Sequence, residues 1–238
     1  MPKPSLDLIF VHVAKAGGSS MRVCLSEVYG DRLYHDYFDG PSDPSSRMNM
    51  DPEGFLEYHR ASAFGHLAGK AAVIGHLWIR KYDGVDARVR AVVLRDPIVR
   101  AFSNYWYWIA ADGVVPPVRI NPLRRYMIDN GLTFEQFART PVIRWFYTRQ
   151  YFRDTDMRTF DFIGETRRVH QDWSGTMRAI GVEAPRVEVN RIDALDPGYE
   201  QRKGELLADA KRMARLRDLF ADDIDFFERH TAIAAVAS

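Results

Sequence analysis

The stretch HVAKAGGSSM near the amino terminus brings together residue types that bind anions. It contains a lysine (Lys15), two glycines (Gly17 and Gly18) and two serines (Ser19 and Ser20). Glycines let the backbone approach an anion closely, while a lysine and hydroxyl groups donate charge-assisted hydrogen bonds to its oxygens. In the nucleotide-triphosphate motif G-x-x-x-x-G-K-[ST] the lysine follows the glycines, whereas here it precedes both. The stretch therefore predicts a phosphate-like anion site, with a plain turn and a solvated lysine as the alternative, and it disfavours a metal–triphosphate loop.

A second cationic element lies in the stretch LRDPIVRAFS. Arg95 follows an apolar run, and Ser103 comes two turns into the helix that the next residues predict. A guanidinium offers paired N–H donors to a terminal phosphate. Asp96 can cap this helix, and Pro97 suits its first position. We expect Arg95 to serve an anion site, and a structural ion pair with a neighbouring acid is the alternative.

Apolar runs and helical spacing indicate the elements that must position these two stretches. The runs predict strands at 8–13, 71–76, 89–94 and 160–164, with a weaker candidate at 186–190. Helical spacing of apolar residues predicts one helix from the glycine loop to Gly30 and another from Pro97 to Ile109. A capping box at 133–136 predicts the start of a short helix, and residues 204–229 predict a charged helix or helix pair.

Strands and helices alternate along the chain, and this pattern is typical of α/β proteins. We therefore expect a single domain over residues 1–238, with a central, mostly parallel sheet flanked by helices. Ligands bind such sheets at the carboxyl ends of the strands, where both candidate stretches begin. Residues 38–62 start with many Pro, Ser, Asp and Gly residues. They predict a surface loop, either a solvated connection or a flap over the site.

Composition narrows the function further. The 238 residues include 33 Lys and Arg against 32 Asp and Glu, a net charge of +1. No global field draws in nucleic acid or a membrane surface, so anion binding has to be local. The single cysteine, Cys24, excludes an intramolecular disulfide and suits a reducing compartment. The apolar runs have the length of strands, so we expect a cytoplasmic protein without a secretory signal or a membrane span.

The motifs resemble those of sulfotransferases that use 3′-phosphoadenosine 5′-phosphosulfate (PAPS), above all the carbohydrate branch with the heparan and uronyl O-sulfotransferases and many short bacterial relatives. FVHVAKAGGSSM is similar to that family's 5′-phosphosulfate loop, and RDPIVRAFSNYW to its 3′-phosphate element. VIGH, LTFEQFA, FDFIG and LRDLFADDIDFF also resemble family segments, so the likeness covers nearly the whole chain. Two positions depart from the pattern: Ala14 replaces the usual proline, and Glu165 directly follows FDFIG, where the family often has an acid a few residues later.

The resemblance implies a fold related to the P-loop nucleotide kinases, PAPS as sulfuryl donor and no metal. Lys15 would contact the phosphate that leaves, and Arg95 and Ser103 would bind the 3′-phosphate. The donor-binding residues that it implies are Lys15, Ala16, Gly17, Gly18, Ser19, Ser20, Arg95 and Ser103.

Sulfuryl transfer is an in-line displacement, in which a general base helps the acceptor hydroxyl to lose its proton. His76 is the candidate for this base, since it ends a predicted strand on the ligand side and matches the family's G-H. His66 is the second candidate. Lys15 would stabilise the leaving group, so His76 and Lys15 form the expected catalytic pair. The acceptor would be a hydroxyl on a small molecule or a glycan.

Two other functions stay open on the sequence. A nucleotide-dependent phosphotransferase would need Mg²⁺ and should tolerate loss of Arg95. A non-catalytic module that binds adenosine phosphates would keep its function without His76. The aromatic stretch NYWYWIA at 104–110 predicts core packing, with sugar stacking as the alternative.

Overall fold

The computed structural model describes residues 5–112, 121–183 and 196–232. Within these ranges one sheet is formed by β1 (Ser5–Val11), β2 (Leu33–Asp36), β3 (Ala72–Gly75), β4 (Asp86–Leu94) and β5 (Phe162–Glu165). The strand order is β2-β3-β1-β4-β5, and every neighbouring pair is parallel. Helices flank this sheet, so the predicted α/β domain with a central parallel sheet is confirmed.

The helices of the described residues are mostly short. They are α1 (Gly18–Tyr29), α2 (Arg47–Met50), α3 (Pro52–Ala61), α4 (Pro97–Ala110), α5 (Pro122–Asp129), α6 (Phe134–Ala138), α7 (Pro141–Arg144), α8 (Thr166–Gln171), α9 (Trp173–Ala179), α10 (Tyr199–Ala208), α11 (Ala210–Leu219) and α12 (Ala221–Thr231). A π-helical turn covers Phe146–Tyr151, and 3₁₀ turns cover Gly30–Arg32, Gly65–Leu67, Ile79–Tyr82 and Met157–Thr159. None of the helices in the described part of the chain has the length and apolarity that a membrane crossing requires.

Local sequence signals set several of these boundaries. The Asp96 side chain accepts a hydrogen bond from the Val99 amide at 2.9 Å, and Pro97 opens α4, as predicted. The capping box of α6 is also confirmed, because the side chains of Thr133 and Gln136 bond reciprocally to each other's backbone amides.

Other segments differ from their predicted form. The polar run LYHD forms β2, which the sequence did not reveal because an edge strand needs no continuous apolar pattern. Residues 38–62 contain α2 and α3, and the charged C-terminal segment is divided into three helices. Asp209 separates α10 from α11, since its side chain caps the Arg212 amide at 2.9 Å. The weak strand candidate at 186–190 lies outside the described residues.

The sheet is buried on both faces, as its apolar strands predict. In β1, Ile9 and Val11 pack into a core cluster with α4 and the π-helical turn, while Leu8 and Phe10 pack into a second cluster with α1 and α9. Side chains alternate between the faces of a strand, so a strand covered on both sides is apolar throughout. Two buried faces leave the edge at the strand ends as the place where polar side chains gather.

The strand register brings five polar side chains to one edge. Val11, Gly75 and Asp36 lie side by side, Val11 also pairs with Val92, and Leu94 pairs with Glu165. The residues that directly follow the five strands therefore emerge together at the carboxyl edge of the sheet. They are His12, Tyr37, His76, Arg95 and Thr166.

Candidate functional site

An open cavity of about 740 Å³ lies at the carboxyl edge of the sheet. Most of the predicted donor-binding residues line it, namely Lys15, Gly17, Gly18, Ser19, Ser20, Arg95 and Ser103. Ala16 does not, since it is buried in the core. The opposite wall comes from α8 and α10 and carries Thr166, Arg167, His170, Tyr199, Glu200, Lys203 and Leu207. The two cationic stretches that the sequence singled out thus share one cavity.

The two glycines of the loop, Gly17 and Gly18, disfavour a side chain for different structural reasons. Gly17 adopts φ +84°, a left-handed conformation that side chains disfavour. Gly18 opens α1 beneath the imidazole of His12, and a Cβ placed there would lie 2.0 Å from the His12 Cδ2 atom. The backbone amides at the start of α1 and the positive end of its dipole therefore meet the cavity at two residues that carry no side chain.

Lys15 is held in an unusual backbone conformation next to a second cation. Its φ is +67°, which is rare for a residue with a side chain and typical of functional sites. Its Nζ lies 3.9 Å from the centroid of the Tyr107 ring, and Arg95 Nη1 donates a hydrogen bond to the Lys15 carbonyl at 3.1 Å. Burial, and secondarily the charge of Arg95, lower the pKa of Lys15 to about 8.

The two cations are not neutralised within the described part of the chain. None of the ion pairs there includes Lys15 or Arg95. Three carboxylates of the described residues line the cavity, and each has another partner. Asp96 caps α4, Glu165 caps α8, and Glu200 pairs with Lys203 at 2.6 Å. Two adjacent positive charges that face an open cavity attract an anion.

His76 lies beside the cavity and is not among the residues that line it. Its Nδ1 is 2.6 Å from the carbonyl oxygen of His12. Because a carbonyl only accepts hydrogen bonds, Nδ1 carries the proton in the neutral ring, and Nε2 keeps its lone pair. Burial lowers the pKa of His76 to about 4, the bond to the His12 carbonyl opposes this shift, and the charge of Arg22 adds to it.

His12 connects His76 with the loop. Its ring lines the cavity, lies 4.4 Å from the His76 ring between centroids, and places Nδ1 2.8 Å from the Tyr37 hydroxyl. Burial holds the pKa of His12 well below its usual value, and the nearby charges of His76, Arg22 and Lys15 lower it further. The ring is therefore neutral at physiological pH.

The remaining histidines are divided between the site and the core. His66, the second candidate for the base, packs against Tyr34 with a centroid distance of 5.0 Å and does not line the cavity. His170, for which no role was predicted, lies in the cavity wall that α8 forms. The structure thus brings His12, His76 and His170 to the strand ends and leaves His66 apart.

Several tyrosines of the site were not predicted. Tyr107 belongs to the aromatic stretch of α4, where Trp106 and Trp108 pack against core rings while Tyr107 contacts Lys15. Tyr147 and Tyr151 come from a segment with no motif, and their hydroxyls reach the ends of two strands. Helical spacing places Tyr107 on a different face of α4 from its tryptophan neighbours, whereas no local sequence signal identifies Tyr147 or Tyr151.

Comparisons with known proteins give little further information. No family model and no curated protein matches the chain. Among solved structures, a sulfotransferase from Alicyclobacillus acidocaldarius is similar at 18% sequence identity over 91% of this chain and 96% of that chain, with a TM-score of 0.38. A likeness of this size carries no argument about chemistry, so the function has to be inferred from the residues of the site.

Proposed function

We propose that this chain is a PAPS-dependent O-sulfotransferase, which moves a sulfuryl group from PAPS to an acceptor hydroxyl of a carbohydrate or glycoconjugate. The observation that carries the proposal is the contact between Lys15 and Arg95 at the ends of the adjacent strands β1 and β4. Their two stretches line the same cavity, and each resembles one of the two phosphate-binding motifs of the PAPS-dependent family.

The chemistry of PAPS matches this pair of elements. PAPS carries a phosphosulfate on one side of its ribose and a phosphate on the other, so a protein that binds it needs two separate cationic groups. Lys15 and the start of α1 would take the phosphosulfate, while Arg95 and Ser103 would take the 3′-phosphate. Ser103 is buried, yet it lines the cavity. Bringing two like charges together is unfavourable, and an anion between them offsets this cost.

The position of His76 fits an in-line displacement. In such a reaction the acceptor oxygen attacks opposite the leaving phosphate, so its base has to lie outside the nucleotide cavity and next to its reactive end. His76 meets this condition, because it contacts His12 on the cavity wall without lining the cavity itself. Its Nε2 would accept the acceptor proton, while Lys15 stabilises the charge that develops on the bridging oxygen.

Binding of 3′,5′-adenosine bisphosphate tests the donor assignment. Calorimetry without metal should show binding, and Arg95→Ala should weaken it about tenfold to a hundredfold, since a charged hydrogen-bond donor to phosphate is lost. Arg158→Ala is the matched control, because the Arg158 side chain is 91% exposed and pairs only locally with Asp156. ATP binding that depends on Mg²⁺, with indifference to the bisphosphate, would support the phosphotransferase instead.

The pKa of Lys15 predicts how this binding depends on pH. Below pH 8 the ammonium is charged in the free protein, so affinity for the bisphosphate should be constant there. Above pH 8 the free protein loses this charge, and affinity should fall by up to about tenfold per pH unit until the raised pKa of the complex is reached. Titrations from pH 6.5 to 9.5 measure the slope. Lys15→Met should remove it, and a slope that persists in this variant would assign the titration to another group.

Transfer itself is tested with radiolabelled PAPS and a panel of hydroxylated acceptors. The proposal expects label on a sugar hydroxyl, and His76→Ala should retain the bisphosphate while losing most of the transfer. A variant that kept full transfer would show that His76 is not the base. A protein that bound the bisphosphate without transfer to any acceptor would favour the non-catalytic module.

A further inference from the structure

The π-helical turn Phe146–Tyr151 contacts both cationic stretches of the site, at Arg95 and at Ala14. It presents two tyrosines, Tyr147 and Tyr151, whose side chains are completely buried. π-Helical turns are rare and occur frequently at functional sites, because the extra residue changes the direction of the side chains that follow. The proposed reaction itself assigns no role to a residue of this turn.

Tyr147 fixes the end of β4. Its hydroxyl donates a hydrogen bond to the Arg95 carbonyl at 2.6 Å and accepts one from the Arg95 amide at 3.0 Å. Both backbone groups of the residue that carries the guanidinium are thus held by one side chain. The direction in which Arg95 leaves the strand is set by this pair of bonds.

Tyr151 fixes the end of β1 and the candidate base. Its hydroxyl lies 3.2 Å from His76 Nδ1 and accepts from the Ala14 amide at 3.4 Å. His76 Nδ1 already donates to the His12 carbonyl, so Tyr151 is a second acceptor for the same proton. Ala14 immediately precedes Lys15, and the one hydroxyl therefore touches both the loop and the base.

A buried carboxylate holds the turn itself. Asp223 of α12 accepts from the amides of Tyr147 and Thr148 at 2.8 and 3.0 Å, and from the Thr148 hydroxyl at 2.8 Å. Asp223 has no exposed surface, so these bonds are shielded from water. The Phe146 ring in the same turn packs 3.4 Å from the Arg100 guanidinium, a further contact with α4. The turn is thus fixed against both α12 and α4.

We infer that the π-helical turn is the positioning element of this site, in which Tyr147 orients the donor-binding Arg95 and Tyr151 orients His76 together with the start of the Lys15 loop. Neither tyrosine needs to touch the reacting atoms, so both are positioning residues. The assignment of separate effects on donor binding and on turnover rests on the proposed function, whereas the positioning of His76 does not.

Three tyrosine-to-phenylalanine variants test the inference. Tyr147→Phe should raise the dissociation constant of 3′,5′-adenosine bisphosphate about two- to tenfold, the range expected for one lost hydrogen bond, with turnover at saturating donor nearly unchanged. Tyr151→Phe should leave that constant within about twofold and lower turnover about two- to tenfold. Tyr105→Phe is the control, because it removes a buried hydroxyl that bonds to the Leu132 carbonyl at 2.8 Å in the core and should change neither.

Imidazole ¹⁵N NMR of His76 separates this inference from the proposed function. Wild-type His76 should show the Nδ1-protonated form, and Tyr151→Phe should shift its resonances while Tyr147→Phe and Tyr105→Phe leave them unchanged. Arg22, His12 and Tyr37 also face His76 and are the same in all variants.

The outcomes of these experiments are distinguishable. If the wild type neither binds the bisphosphate nor transfers sulfuryl groups, yet Tyr151→Phe alone shifts the His76 resonances, the proposed function fails and the positioning of His76 stands. If Tyr147→Phe and Tyr151→Phe behave like Tyr105→Phe in binding, turnover and NMR, the turn is a structural element only and the inference is overturned. Thermal unfolding of each variant confirms that it folds.

Discussion

Lys15→Met is expected to lower the turnover of sulfuryl transfer about a hundredfold to a thousandfold, the range seen when one group that stabilises transition-state charge is removed. Methionine is unbranched like lysine, lacks only the terminal amino position, and has the same difficulty with φ +67°, so the backbone strain of the loop is matched. The variant therefore removes the charge and little else. Affinity for the bisphosphate should fall less than turnover, because the proposed phosphate contacts of Arg95 and of the start of α1 would remain.

Single-turnover rates with PAPS and the best acceptor measure this effect directly. Lys211→Met is a suitable control, since Lys211 is exposed on α11 and should be replaceable without loss. If Lys15→Met weakened donor binding and left turnover at saturation intact, Lys15 would be a binding residue without a part in the chemical step. An unchanged rate and affinity would remove the central assumption of the proposed function.

Gly18→Ala should destabilise the fold by about 1–3 kcal/mol, the typical cost of forcing extra volume into a packed region. The new Cβ would lie 2.0 Å from His12 Cδ2 and 2.5 Å from Nε2. Moving the His12 ring away from the new methyl group would disturb its hydrogen bond to Tyr37 and its packing against His76. Thermal unfolding measures the loss, and bisphosphate binding should weaken as the loop moves.

Two further variants identify the clash as the cause. Gly204→Ala places a Cβ where no atom lies within 4 Å, at an exposed position of α10, and should raise stability by up to about 1 kcal/mol. The double variant His12→Ala/Gly18→Ala should be more stable than the sum of its single changes predicts, since the ring that the new methyl group meets is absent. Strict additivity would place the cost of Gly18→Ala in the backbone.

The parts of the fold that the sequence predicted are those with strong local signals. β1, β3 and β4 are buried on both faces and read as apolar runs, and the helix caps at Asp96 and Thr133 use short-range hydrogen bonds. β2 escaped prediction because its four residues lie at the edge of the sheet, where pairing with β3 and not apolarity defines the strand. The boundary between α10 and α11 depends on the cap at Asp209, which a charged segment conceals.

In the candidate site, too, the residues with local sequence signals were predicted and those defined by long-range contacts were not. Lys15 and Arg95 were recognisable because each lies in a motif, and the strand register then brought them together. The sequence did not predict Tyr37, Tyr147 and Tyr151, since their contacts connect residues 25, 52 and 137 positions apart. Long-range contacts of this kind depend on how the elements pack and leave no periodicity to detect.

The bond between His76 Nδ1 and the His12 carbonyl affects how any variant of His76 has to be interpreted. The imidazole would have two separable tasks, since Nδ1 ties the end of β3 to the end of β1, while Nε2 would be the nitrogen that accepts the proton in the proposed reaction. Alanine abolishes both tasks, so a slow alanine variant mixes lost chemistry with a loosened framework. Asparagine retains an N–H close to the position of Nδ1 and has no counterpart of Nε2. A comparison of the two substitutions therefore divides the contribution of this histidine into an architectural and a chemical share.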